Sequence, residues 1–153
     1  MSYLAKETLI SSVINALFSL IFFIVFFHDV SEVTLGGVTP FTLDFLPQAF
    51  FVGLFAALPV SLLAVKRIRS GEIKPELGQK YPLPQSLPIR IIILALLSLV
   101  VFGVGALGLS SFFLPVMDIG FTAALLLKVI FGILITVVVT PVAVRSVLVV
   151  AKV

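Results

Sequence analysis

The sequence predicts an all-α fold, a four-helix transmembrane bundle made of two parallel-repeat helical hairpins, and three observations predict it. First, the 153 residues are 61% hydrophobic and 11% charged, against about 45–50% and about 25% in ordinary soluble domains. A soluble fold of this size lacks the polar residues to cover its surface, so lipid is the expected solvent for most side chains. Second, four apolar stretches are each long enough to cross about 30 Å of hydrocarbon at about 1.5 Å per residue. An open sheet cannot satisfy its backbone in lipid, so stretches of this length read as helices. Third, the connections between them alternate between basic and acidic.

The first span runs from Leu9 to Phe27 (LISSVINALFSLIFFIVFF) without a charge. It exceeds the apolar core of a signal peptide, about 7–15 residues, and HDVSEV follows where a small-residue cleavage site would stand, so a retained span is expected. The second span runs from Phe45 to Val65 and stops at Lys66-Arg67. Pro88, a favourable first-turn residue, opens the third, Ile89 to Leu109. The fourth runs from Ile119 to Thr140 and continues as an apolar tail to Val153. The expected organisation is one integral membrane domain over 1–153, with a hairpin at 7–69, a linker at 70–87 and a second hairpin at 88–153.

Charge sets the expected orientation. Between spans two and three stand Lys66, Arg67, Arg69, Lys74, Lys80 and Arg90, against Glu72 and Glu76. Between spans one and two are His28, Asp29, Glu32 and Asp44, with no Lys or Arg; between three and four there is only Asp118. Lys6 precedes span one, and Arg145 and Lys152 follow Thr140. By the positive-inside rule both termini are cytoplasmic, and the expected location is a bacterial inner membrane. The net charge of +3 then serves orientation and contact with lipid headgroups, and no nucleic-acid partner is expected. The segment SGEIKPELGQKYPLPQSLP reads as a linker, extended around Tyr81-Pro82-Leu83-Pro84. In EVTLGGVTPF, the Gly36-Gly37 pair between β-branched residues allows a short hairpin within that loop.

The halves repeat. INALFSLIFF (Ile14 to Phe23) aligns without gaps to ILALLSLVVF (Ile93 to Phe102). In the second helices Gly53 aligns with Gly132 and, after a small shift, Pro59-Val60 with Pro141-Val142. Two hairpins entering from the same side form a parallel repeat, with a pseudo-twofold axis along the membrane normal. In the first hairpin Phe45-Leu46-Pro47-Gln48-Ala49-Phe50, Pro59 and Lys66-Arg67-Ile68-Arg69 give an aromatic-alanine start, a mid-helix proline and a basic end. The second keeps Pro141 and Arg145. Each half thereby resembles a family of short bacterial membrane proteins, two-span hairpins of unknown function. The resemblance implies the hairpin and brings no activity with it.

Lys128 is the sharpest candidate for function. It lies about nine residues beyond Ile119, roughly 14 Å deep and near the bilayer midplane. An ionisable group there costs at least about 2.5–3.5 kcal/mol, so it is expected to face the bundle and a polar partner. Gln48, Asp44 and Asn15 are the available partners. Two roles compete: a site for an ion, substrate or proton, and a structural pair or snorkelling side chain, which is the default. Pro59 and Pro141 are expected to be static kinks before hinges. Small residues at four-residue spacing (Ser12 and Ala16, Gly53 and Ala57, Ala106 and Ser110, Gly132 with Thr136 and Thr140) suit close helix packing, within the bundle or against another subunit.

Other chemistry is thinly provided. With no cysteine, thiol catalysis, disulfides and cysteine-ligated metal centres are excluded. His28 stands alone as a ligand, and Asp29, Glu32 and Asp44 read as a solvated acidic loop. No phosphate loop or catalytic triad is present, so neither enzymatic activity nor a cofactor is expected. The expected function is a non-catalytic accessory or scaffold subunit whose partners are the bilayer and itself or another membrane protein. The alternative is a small homo-oligomeric transporter or channel with Lys128 at its pathway.

Overall fold

The computed structural model describes residues 3–76 and 82–150. The chain runs α1 (Tyr3–Phe27), β1 (Glu32–Leu35), α2 (Pro40–Leu43), α3 (Phe45–Arg69), α4 (Leu87–Ser98), a π-helical segment (Leu99–Val104), α5 (Gly105–Phe113), β2 (Met117–Gly120) and α6 (Phe121–Val150). Four helical stretches are long and apolar enough to cross a membrane: Tyr3–Phe27, Pro40–Arg69, Leu87–Phe113 and Phe121–Val149. They outrun the apolar stretches of the sequence, because a helix goes on satisfying its own backbone past the last apolar side chain. Lys80, Tyr81 and Lys152 lie outside the described residues. Residues 82–86 are neither helix nor strand.

α1 and the α4–α5 stretch both end at the two strands, so the hairpins enter from the same side. The short hairpin allowed by Gly36-Gly37 does not form. β1 instead pairs antiparallel with β2 of the other connection, Val33 opposite Ile119 and Thr34 opposite Asp118. Ile119 is therefore strand, and the fourth span starts at Phe121. Gly36 and Gly37 do make a turn, with φ of 87° and 69°. Gly36 lies so close to Pro115 that an added Cβ would sit 2.4 Å from its carbonyl oxygen. Thr39 then starts α2 with a capping box, its side chain accepting from the Thr42 amide. We refer to this side as the strand end and to the opposite side as the basic end.

Packing is exchanged between hairpins. α1 lies mainly against α6, α4 and the π-helical segment against α3, and α3 against α6, while the two helices of one hairpin touch far less. A constant offset of 79 residues relates the halves, taking Ser19 to Ser98 and Gly53 to Gly132. Under it Ser11, Ser12, Asn15 and Ser19 of α1 map to Arg90, Ile91, Leu94 and Ser98 of α4, all buried. Ala49, Gly53, Ala56, Ala57, Val60, Ser61 and Ala64 of α3 map to Lys128, Gly132, Ile135, Thr136, Val139, Thr140 and Ala143 of α6, again all buried. The closest approaches are equivalent too. A Cβ on Gly53 would lie 2.4 Å from Ser98 Oγ, and one on Gly132 2.4 Å from Ser19 Oγ. Each glycine lets the other hairpin's serine meet its backbone.

The shift that aligned Pro59 with Pro141 is not followed by this pattern. The offset of 79 places Pro59 against Val138, which like Pro59 is exposed, and Pro141 against Leu62. Both helices continue through their prolines. The small residues Ser12, Gly53, Ala57, Gly132, Thr136 and Thr140 are all buried inside the bundle. The third span departs from its partner by its π turn. There Gly103 approaches α3 closely, an added Cβ lying 3.2 Å from Leu46 Cα.

Candidate functional site

Lys128 is 1% exposed. It stands seven residues beyond Phe121, so its Cα lies about 10 Å from the start of α6. Side chains on a helix lean towards its N-terminus, which for α6 is the strand end. Its ammonium accordingly climbs to Asp44, the residue just before α3, and Nζ donates to Oδ2 at 3.0 Å. The charge thus sits nearer the strand end than the mid-span position counted from Ile119. Phe45 lies 3.8 Å and Phe41 4.8 Å from Nζ by ring centroid. The carboxylate and two ring faces replace the water the ammonium gave up, and such desolvated cation–π contacts are worth about 2 kcal/mol.

Gln48 ties three helices together at this level. Its Nε2 donates to the Lys128 carbonyl at 2.9 Å and to Ser19 Oγ at 3.2 Å. Two acceptors around one amide nitrogen fix which end of the amide points where. Gln48 Oε1 is buried and has no partner among the described residues. Lys128, Asp44 and Gln48 are therefore one cluster. Asn15, the remaining candidate, is not part of it: its Nδ2 donates to Ser11 O at 3.1 Å on its own helix. Beside the cluster a cleft of about 140 Å³ opens between α1 and α3, walled by Phe18, Phe22, Phe51 and Phe55, with Asp44, Gln48 and Lys128 in its lining.

Sequence reasoning missed a second polar set, at the basic end. Glu7, 3% exposed, accepts from Arg67 Nη1 at 2.6 Å, and the guanidinium lies over the Tyr3 ring at 5.1 Å. Arg90, also 3% exposed, donates to the carbonyls of Ser146 at 2.7 Å, Gln85 at 3.0 Å and Pro84 at 3.1 Å. Arg67 and Ser146 are equivalent under the repeat, so each hairpin is pinned near its basic end from the same position of its second helix. A signal for Glu7 did exist. Glu7, Ser11, Asn15 and Ser19 recur every four residues, a polar stripe that lipid would drive inwards.

The acidic loop does not act as one group. Asp44 is turned to Lys128, while Asp29 pairs with His28 Nε2 at 2.9 Å in the open. No three His, Asp or Glu residues converge as a metal site among the described residues. No protein-family model matches the chain, and neither a curated protein nor a solved structure is detectably similar to it.

Proposed function

We propose that the chain is a multi-pass membrane subunit without catalysis of its own, packing against further copies of itself or another membrane protein. The observation that carries this reading is the internal pairing of its buried charges. Lys128 is held by Asp44, Glu7 by Arg67, and Arg90 by backbone carbonyls. Transport along Lys128, the competing reading, needs an ammonium free to exchange partners, whereas this one is 1% exposed, paired with Asp44 and covered by the rings of Phe41 and Phe45. Of the small residues only Ala16 and Ala106 are half-buried and the rest face inwards, so the surface left for lipid or a partner is broad and apolar. Phe22, Phe26, Val100 and Val101 are examples of it, each more than 45% exposed.

The orientation belongs to the same proposal. Lys66, Arg69 and Lys74 lie at the basic end and Asp29, Glu32 and Asp118 at the strand end, which supports cytoplasmic termini in a bacterial inner membrane. Purification in mild detergent at native expression is expected to give an assembly larger than the 16.5 kDa monomer, of the same size for Lys128→Met. A wild-type monomer, or a proteoliposome flux that Lys128→Met abolishes, overturns the subunit reading.

A further inference from the structure

Because the halves are related by one offset, the groove between the helices of one hairpin has a counterpart in the other. In the second hairpin that groove is lined by Leu97, Ser98, Val101 and Phe102, with valines of α6 opposite. The equivalent residues of the first hairpin, Phe18, Ser19, Phe22 and Phe23, line the cleft between α1 and α3. The two linings differ in kind. On the second helix the linings lie at different heights, between Asp44 and Phe55 in the first hairpin and at Val138, Val139 and Val142 in the second, and the first alone has aromatic walls with Gln48 and Asp44 at its floor. Asp44 and the Gln48 amide nitrogen are engaged within the bundle, and what the packing leaves over at this floor is the Gln48 carbonyl oxygen.

We propose that the α1–α3 cleft binds a lipid-soluble molecule headed by a hydroxylated aromatic ring. Size comes first: the cavity is about 140 Å³, and a dry apolar cavity of about 150 Å³ holds one benzene. The walls suit a ring, since Phe18 and Phe55 are already stacked at 5.3 Å between centroids. The floor asks for a donor. Gln48 Oε1 is buried without a partner among the described residues, and its Nε2 is committed to two acceptors, so the amide cannot turn to relieve it. The Lys128–Asp44 pair is neutral as a unit, which favours an uncharged hydroxyl over an acid. The route in is through the bilayer, because Phe22 and Phe51 at the rim are 46% and 47% exposed on an apolar surface. An apolar tail on the ring would stay in lipid.

The full chain in phosphatidylcholine nanodiscs, irradiated with a 4-alkylphenol carrying a diazirine in its alkyl chain, tests this. Saturable labelling is expected within residues 18–26 and 44–55. 4-Octylphenol should displace it about tenfold better than 4-octylanisole, which keeps ring and chain but lacks the donor. Gln48→Leu puts there the residue that the second half has at the equivalent position, Leu127, and should erase that tenfold preference. Equal displacement by both competitors, labelling spread evenly over the four lipid-facing helices, or equal saturable labelling of residues 97–102 overturns the proposal. The competitor comparison uses the wild-type protein, so it decides the matter even where Gln48→Leu fails to assemble.

Discussion

Two residues show how differently a membrane treats the partners of one ion pair. Lys128 is 1% exposed and Asp44 retains a partly open side chain, at 29%. Removing the carboxylate strands a buried cation, and breaking a buried pair from one side costs about 3–5 kcal/mol. Asp44→Ala is therefore expected to lower unfolding stability in detergent by that amount. Lys128→Met leaves the carboxylate behind, but at 29% exposure Asp44 can turn to solvent, so this change should cost far less than the loss of Asp44. The double variant Lys128→Met/Asp44→Ala should recover most of the loss, and denaturant titration of the four proteins closes the cycle. A Lys128→Met protein as unstable as Asp44→Ala would contradict this account. The cluster was largely legible in the sequence, since Lys128 is the lone charge between Asp118 and Arg145 and needs a polar neighbour. Asn15 was not separable from the true partners, because its alternative, a carbonyl one turn back, is offered by every helix. The rings over Lys128 were illegible for a similar reason: fifteen phenylalanines leave no basis for choosing Phe41 and Phe45.

At the scale of elements, the helix crossings rest on glycine meeting serine. Gly53→Ala and Gly132→Ala each force a Cβ into the facing serine and should each cost about 1–3 kcal/mol, the usual range for overpacking. Ser98→Gly should rescue the first and Ser19→Gly the second, whereas the crosswise combinations should not. Unfolding titrations that show no such pairing would dissolve the proposed equivalence. At the strand end Gly36→Ala should cost more than Gly37→Ala. Both residues have positive φ, but only Gly36 faces a backbone oxygen at 2.4 Å, the nearest atom to Gly37 being 3.7 Å away. Circular dichroism melts of the two variants can compare them. The helices were readable because lipid leaves the backbone few options. The strands were not, since β1 pairs with a segment in the other half of the chain, and a local glycine pair signals a turn without naming what pairs across it.

For the whole molecule, topology is the first expectation to check. Single cysteines at Ser31 and Val116, both exposed at the strand end, should label from outside intact cells, and one at Ser70 only after the cytoplasm is opened. Labelling of Ser70 in intact cells would invert the orientation. The duplication was legible from the first helices of the hairpins, where identical residues recur without gaps. In the second helices Gly53 and Gly132 keep the offset of the first helices while the prolines suggested a shifted alignment, and burial decides for the common offset, because it is the inward face more than residue identity that both halves retain. The exchanged packing has one more consequence. A lone hairpin would hardly hold itself together, but it would fit a copy of itself, so the chain is in effect an isologous dimer sewn into a single polypeptide. In a true homodimer every side chain comes twice, and a buried lysine would have to find an aspartate on both sides of the axis. Tethering the copies makes their association independent of concentration, and it also lets one copy carry a charge that the other lacks. Lys128 opposite Ala49, and Asp44 opposite Ala123, are differences that no homodimer can keep.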